Sequence, residues 1–564
     1  MSLIEPLYKI SEICSAFEIE DVIICPGSRS AALTLAFTRN PKIKTKVIAD
    51  ERSAAFVALG MAQQSGKIVA LVCTSGSAAL NFAPAISEAF FQEIPLLILT
   101  ADRPPEWIHQ YDGQTIFQKD IYGKHVKKSF ELPVDTLHGD AQWQVERIVN
   151  EAVNLSIQVP FGPVHINVPI REPFYPDEKE RFFANYRKVN FISTEKIISN
   201  ETWSELIDIW ESSERKMIAI GQNFYDLDAA LKGLSEEEGV VVLADIISNI
   251  NIESKISFHD IFLSKSTDLE ADLLITAGKS FISKPFKQFI RNNKPRFHWH
   301  IQENPELIDP LQSITHKIEV SPAYFFKELF ETLDFRKIKS GENDEENDFK
   351  LDWNINDETS KRYLYKFLNT VDFGEMKATS MLLESLELDS ILHLGNSMPV
   401  RYGNLLGGIC KSQIKVFANR GTSGIDGILS TAIGQALKTN KLVICLLGDV
   451  SFFYDSNALF VENLPKNLRI VVINNAGGNI FRIIDGPSKQ QELESHFVTK
   501  QTRMAKSLSL EAGVRYYKAS DIVEMAESLD LIIKDDNHAA LLEVFTDGEA
   551  DANIFKELKN GFTL

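Results

Sequence analysis

Cysteine is scarce in this chain and never closely paired: Cys14, Cys25, Cys73, Cys410 and Cys445 are scattered, with no CxxC spacing among them. That excludes a disulfide-stapled scaffold and a cysteine-rich zinc site. Five lone thiols, most of them in or beside apolar runs, suit a reducing compartment. Positive charge is the next shortage. The chain has 59 Lys and Arg against 78 Asp and Glu, a formal net charge of −19. Such a surface lacks the basic field that a nucleic-acid partner requires, although local arginine clusters can still hold small anions. No apolar run reaches membrane-spanning length, and the start MSLIEPLYKI has no basic region ahead of an apolar core. The expectation is a cytoplasmic protein with no membrane span and no nucleic-acid partner. Two phosphate-binding signatures are also missing. No GxGxxG follows an early strand, which argues against a nicotinamide dehydrogenase, and the AGKS at 277–280 lacks the upstream glycine of a phosphate loop.

What the chain does have is ordinary globular composition, 44% hydrophobic and 24% charged over 564 residues, enough for about three or four domains. Short apolar runs alternate with helical stretches almost throughout, which predicts an α/β fold of three doubly wound parallel-sheet domains. In residues 1–185, strands are expected at 22–25, 46–49, 68–73 and 95–100, with helices over 31–38, after Asp50-Glu51-Arg52-Ser53 as far as Gln64, and over 78–91. Residues 190–335 form a second α/β region with strands at 216–220, 240–244, 273–276 and 296–301. The stretch 336–361, centred on GENDEEND, is polar and acidic and reads as a solvated inter-domain linker. Residues 362–564 return to alternating strands and helices, with strands at 390–394, 414–417, 442–447, 469–473 and 541–545.

The most telling stretch runs from Gly448 to Phe481. An apolar strand ends in Gly448-Asp449, a helix is expected over 455–461, and a second strand ends in Asn474-Asn475-Ala476-Gly477-Gly478. Two parallel strands therefore deliver oxygen donors at their carboxyl ends, where open α/β sheets bind ligands. A carboxylate, an amide oxygen and an accessible carbonyl suit a hard cation such as Mg²⁺, which commonly shares its shell with a diphosphate. Asp, Asn and Gly are also common turn formers, so these residues alone would equally suit two strand-end turns. Glu51, in turn, could be no more than a first-turn acid favoured by the helix dipole.

Four stretches together, CPGSRS at 25–30, DERSAAF at 50–56, NRGTSGIDG at 419–427 and NNAGGNIF at 474–481, resemble one family. This is the 2-succinyl-5-enolpyruvyl-6-hydroxy-3-cyclohexene-1-carboxylate (SEPHCHC) synthase family of thiamine-diphosphate (ThDP) enzymes, which acts in menaquinone biosynthesis. The resemblance implies a transferase that decarboxylates 2-oxoglutarate and adds the resulting succinic-semialdehyde unit to isochorismate by 1,4-addition. It implies ThDP with Mg²⁺, or Mn²⁺ in its place, as cofactors, with Asp449, Asn475 and the Gly477 carbonyl as metal ligands. Glu51 is implied as the catalytic carboxylate on the aminopyrimidine ring, with Ile425 and Phe481 packing against the cofactor. Substrate anions are implied at Ser28, Arg29, Arg103, Gln114, Lys284, Ser397, Arg401 and Arg420. Among these, Arg401 and Arg420 resemble the residues on the ketoacid-derived carboxylates, and Ser28, Arg29, Arg103 and Lys284 those on the isochorismate side. Where members of that family carry Lys-Arg in the middle domain, this chain has Lys284-Pro285, so the arginine's role there is either lost or taken by a neighbour such as Lys287. The family builds each site from two chains, so a homodimer or a dimer of dimers is implied.

Overall fold

Eighteen short strands form three separate sheets in a computed structural model that describes residues 5–172, 174–175, 185–266, 268–340, 347–410, 413–535 and 537–563. The first sheet contains β1 (Asp21–Ile24), β2 (Lys44–Val47), β3 (Val69–Cys73), β4 (Leu96–Asp102), β5 (Ser129–Glu131) and β6 (Val164–Pro169). The second contains β7 (Lys216–Ile220), β8 (Val240–Ala244), β9 (Lys255–Ile256), β10 (Leu273–Ala277), β11 (Phe297–Ile301) and β12 (His316–Ile318). The third contains β13 (Ile391–Leu394), β14 (Lys415–Ala418), β15 (Val443–Gly448), β16 (Leu468–Asn474), β17 (Arg515–Ala519) and β18 (Ala540–Phe545).

All pairings are parallel, for example Ile23 with Leu71 and Cys445 with Ile470. The central strands read as continuous apolar runs because helices cover both of their faces. The first and third sheets share one strand order, β2-β1-β3-β4-β6-β5 and β14-β13-β15-β16-β18-β17. In both, chain direction across the sheet reverses between the first and third strands, which opens a crevice at their carboxyl ends. The second sheet, β12-β11-β10-β7-β8-β9, has the other common doubly wound order.

The first and third sheets meet through two helices, Glu51–Ser65 and Ile428–Ala436, packed backbone to backbone. Two glycines permit that approach. A Cβ on Gly60 would stand 2.0 Å from the Thr431 carbonyl oxygen, and one on Gly434 would stand 2.1 Å from that of Val57. A single apolar core results, running from Ile23 and Leu71 through Phe56 and Ile433 to Cys445 and Leu447.

Three local expectations change. The stretch expected as an acidic linker is largely helical where described, with helices over Pro322–Ser340 and Asp348–Thr370, while 341–346 lie outside the described residues. Phe349, Trp353, Leu364 and Leu368 are buried along the second helix and supply an apolar face that outweighs the acidic composition. The helix expected at 455–461 begins at Asp449 instead, as Asp449–Tyr454, and gives way to a 3₁₀ turn over Ser456–Phe460. The helix expected over 78–91 is split into Ser77–Asn81 and Ala83–Gln92, because Pro84 can only start a helix, not continue one.

Candidate active site at the carboxyl ends of the outer sheets

The end of β15 and the end of β16 converge on one corner. Asp449 is buried at 1% exposure, and its Oδ2 accepts from Gln501 Nε2 at 2.6 Å. Burial pushes its carboxyl up to about 6, against the pull of these hydrogen bonds. Asn475 follows β16 directly, and its Oδ1 accepts from Gly477 N at 3.2 Å. A Cβ on Gly477 would lie 2.6 Å from the Val498 carbonyl oxygen, so only glycine lets the chain turn here. Phe481 is half-buried on the next turn, its ring 5.8 Å from that of Phe497.

A single buried carboxylate is poorly stabilised without a counter-charge. Among the described residues no cluster of three or more His, Cys, Asp and Glu gathers to hold a metal. One carboxylate, one amide oxygen and one carbonyl are too few to enclose a divalent cation but suit one that completes its shell with diphosphate oxygens. The donor set therefore fits Mg²⁺ carried with a diphosphate.

A second feature lies at the ends of β13 and β14. Asn396 ties the two loops together, donating through Nδ2 to the carbonyls of Asn419 and Gly424, each at 2.7 Å. Its Oδ1 accepts from Arg420 Nη1 at 2.9 Å. Arg401 Nη1 donates to the Ser397 carbonyl at 2.5 Å. Ser397 takes φ +75°, a conformation that costs energy in a non-glycine residue and is characteristic of functional loops. Arg401 stays open to solvent, yet surrounding protein and then Arg420 press its pKa down. Burial also lowers that of Arg420, while Glu88 and Asp245 work the other way. Lys287 belongs to the same field: burial lowers its pKa first, Asp245 opposes this, and Arg420, Arg291 and Arg401 add to the lowering. Three cations held this close suit a ligand that carries carboxylates. Ile425 is half-buried in the loop leading to Ile428–Ala436.

The first sheet presents a second pair of arginines. Arg29, in the loop after β1, is buried at 7% exposure; its guanidinium lies 4.2 Å above the Phe174 ring and Nη1 donates to the Ile170 carbonyl at 3.2 Å. Arg103, just past β4, pairs with Asp112 at 2.6 Å and donates from Nε to the Gly113 carbonyl. Arg29 and Arg103 feel each other, since Arg103 adds to the burial that lowers the Arg29 pKa. Ser28 and Gln114 are exposed, with Gln114 at φ +56°.

Glu51 is the first residue of the helix Glu51–Ser65 and is half-buried. Among the described residues no hydrogen bond or ion pair joins it to Asp449, Asn475 or Gly477 of the same chain. Lys284 does not join the other cations either. It is exposed at the start of the helix Lys284–Asn292, whereas Lys287, one turn on, faces Arg401 and Arg420. The structure thus gathers the expected residues into three groups, at the ends of β15 and β16, at the ends of β13 and β14, and on the first sheet, and leaves Glu51 and Lys284 outside them.

Four side chains that sequence reasoning did not single out support these groups: Asn396, Glu88, Gln501 and Glu375. Glu88 is buried on the helix Ala83–Gln92 and accepts from the backbone N–H of Gly421 at 2.7 Å and of Thr422 at 2.6 Å. It lies 333 positions from Gly421, so no local pattern could reveal the contact. Asn396 alone carried a local signal, as the middle residue of a Gly-Asn-Ser turn at a strand end.

Comparison with known proteins points to one family. Residues 9–124 match the family model "Thiamine pyrophosphate enzyme, N-terminal TPP binding domain", and residues 183–333 match "Middle domain of thiamine pyrophosphate". A SEPHCHC synthase of Cytophaga hutchinsonii is 41% identical over 563 residues, covering 98% of each chain. That of Flavobacterium johnsoniae is 39% identical with 95% of each chain covered. The Porphyromonas gingivalis synthase is 35% identical over 97% of this chain and 96% of its own. With such identity along nearly its whole length and three doubly wound parallel sheets, the chain belongs to the SEPHCHC synthase family of thiamine-diphosphate enzymes.

Proposed function

We propose that this chain, with ThDP and Mg²⁺ bound, decarboxylates 2-oxoglutarate and adds the four-carbon unit to isochorismate, giving SEPHCHC and CO₂. The observation that carries this reading is the pairing of Arg401 and Arg420 in the loops after β13 and β14, on the same parallel sheet whose β15 and β16 end at Asp449 and Asn475. A pyruvate-using site has no second carboxylate to hold and no need of two guanidinium groups there.

When bound, ThDP would supply a carbon nucleophile for the ketoacid carbonyl and a sink for the electron pair left behind by CO₂. Asp449, Asn475 and the Gly477 carbonyl hold the cation, Mg²⁺ or Mn²⁺, that anchors the diphosphate. Ile425 and Phe481 pack against the cofactor. Glu51 holds the proton at the aminopyrimidine ring, a positioned acid–base role worth roughly 10²–10⁴-fold in rate. Arg401 and Arg420 orient the distal carboxylate of 2-oxoglutarate, with Ser397 beside them. Ser28, Arg29, Arg103 and Gln114 receive the carboxylates of isochorismate. Lys287 supplies the middle-domain cation in place of an arginine at Pro285, and the exposed Lys284 reaches the substrate only from the rim.

The active assembly is a homodimer or a dimer of dimers, in which Glu51 of one chain would serve the cofactor whose diphosphate the metal corner of the other chain would hold. The units at 1–185, 190–335 and 362–564 serve as pyrimidine-binding, central and diphosphate-binding domains. No helix among the described residues is long and apolar enough to cross a membrane, in keeping with the cytoplasmic location the reading includes. The test is to offer purified protein ThDP, Mg²⁺ and 2-oxoglutarate, with and without isochorismate, and to follow CO₂ and the adduct. Release of CO₂ without any adduct in the presence of isochorismate would refute the transfer.

A further inference from the structure

Behind the metal corner lies a set of buried polar side chains that the assigned roles leave unused. Glu375 opens the helix Glu375–Ser385 and is 2% exposed. It stands 100 positions from Asn475 in sequence, yet its Oε1 accepts from Asn475 Nδ2, and more distantly, at 3.4 Å, from Asn479 Nδ2. Its place is fixed from behind. The Glu375 backbone N–H donates to Asp551 Oδ1 at 2.8 Å, and Asp551 Oδ2 accepts from Thr546 Oγ1 at 2.6 Å. A Cβ on Gly374 would come within 2.3 Å of Asp551 Oδ1, so glycine there makes room for that carboxylate. The buried Tyr402 stands beside Glu375 as well.

An asparagine amide has one oxygen that can ligate a cation and one nitrogen that cannot, and a half-turn about its last bond exchanges them. Holding the nitrogen against Glu375 turns Oδ1 the other way, to where it already accepts from Gly477 N beside Asp449. We propose that Glu375 is a positioning residue: through its bond to Asn475 Nδ2 it sets which face of that amide meets the metal. The inference rests on the reading of Asn475 as a metal ligand. Outer partners of this kind typically change metal affinity by about 10–100-fold when removed.

The test titrates Mn²⁺ into the full chain in the presence of ThDP, reading affinity by calorimetry and the metal's electron paramagnetic resonance. Thermal unfolding without cofactor is measured alongside. Glu375→Ala should weaken Mn²⁺ binding by about tenfold or more. Glu375→Gln, which can still accept from Asn475, should stay within about threefold of the parent. Asn475→Asp sets two acids face to face and should lose binding. Adding Glu375→Gln to it lets the new amide donate to the new carboxylate, and affinity should recover by about tenfold. That recovery stands as the decisive reading even if Glu375→Ala fails to fold, because a merely structural glutamate would give additive losses. Glu375→Ala binding as well as the parent while Asn475→Ala does not, or no recovery in the double variant, would overturn the positioning role alone. Undiminished binding by Asn475→Ala would overturn the ligand reading and this inference with it.

Discussion

Asp50 Oδ2 accepts from Asn457 Nδ2 at 2.7 Å, a contact that spans 407 positions and joins the first sheet's unit to the third's. Two residues on, Arg52 Nη2 donates to the Tyr454 carbonyl at 2.7 Å, and its guanidinium lies 4.6 Å above the Tyr454 ring. Glu51, between them, therefore stands on a backbone gripped from both sides. The same Asp50 caps the helix, its Oδ1 accepting from Ser53 N at 2.9 Å. The carboxylate is placed by its neighbours, not by bonds of its own.

Because those grips do not involve the Glu51 side chain, Glu51→Gln should fold and bind ThDP much as the parent does. Turnover should fall by about 10²–10⁴-fold, the usual worth of a positioned acid–base group. Exchange of the cofactor's C2 proton, followed by NMR on the bound enzyme, separates this from a binding defect. An unchanged exchange rate would remove Glu51 from its assigned place.

Asp449 must be ionised to hold a cation, and burial has raised its pKa to about 6. A proton therefore competes with the metal below that value. Metal-dependent ThDP affinity should be level above about pH 7 and fall by up to about tenfold per pH unit below about 6, as one proton is displaced per metal bound. Asp449→Asn should bind weakly throughout and lose that part of the pH dependence. Titrations at a series of pH values, by parent and variant, give both results; an identical slope in the two would place the titrating group elsewhere.

The parts of this structure that were legible in sequence are those governed by neighbours in the chain. The runs 216–220 and 240–244 become β7 and β8 with unchanged bounds, since an apolar run between turn formers has few alternatives. The acidic stretch misled because composition outvoted pattern. Phe349 and Trp353, four apart, are the start of a helical apolar face, and both are buried. The metal-corner and arginine loops stood out because they close strands whose ends must carry function in a parallel sheet. What supports them was not legible. Glu88 on Thr422 and Glu375 on Asn475 are pairs 334 and 100 positions apart, and an isolated buried glutamate looks like any other helix acid until its partner is known.

Asp455 offers a stability test that is independent of the chemistry. It is fully buried, and its carboxyl accepts from Ser430 N and from Ser430 Oγ, each at 2.8 Å. Burial pushes its pKa from 3.8 to about 7, so the folded protein keeps a proton that the unfolded chain releases. With the folded value raised, this group's contribution is fully present below about pH 4 and is lost as pH rises through about 7. Cofactor-free protein should accordingly lose denaturant resistance between about pH 4 and 7 and level off above that, and Asp455→Asn should flatten that decline. Parallel unfolding curves for parent and variant across this range would contradict the assignment.

Substrate choice is the sharpest consequence of the arginine pair. If Arg401 and Arg420 receive the distal carboxylate of a five-carbon ketoacid, pyruvate leaves both guanidinium groups facing an empty, partly desolvated pocket. Each charge-assisted hydrogen bond left unmade costs about 1.5–3 kcal/mol. At about 1.4 kcal/mol per decade this is roughly a tenfold to hundredfold preference for 2-oxoglutarate per lost contact. Arg401→Ala should therefore lower kcat/KM for 2-oxoglutarate by about that factor while leaving pyruvate nearly unaffected, so that the ratio between them narrows. The fold should tolerate the change, since Arg401 is exposed and donates to the carbonyl of Ser397 within its own turn. Arg420→Ala should cost more, because it also frees Asn396, which holds the Asn419 and Gly424 carbonyls in place. Steady-state decarboxylation of both ketoacids by the parent and the two variants measures all of this. A parent enzyme that handles pyruvate as well as 2-oxoglutarate would end the carboxylate-pocket assignment and favour a pyruvate-using synthase.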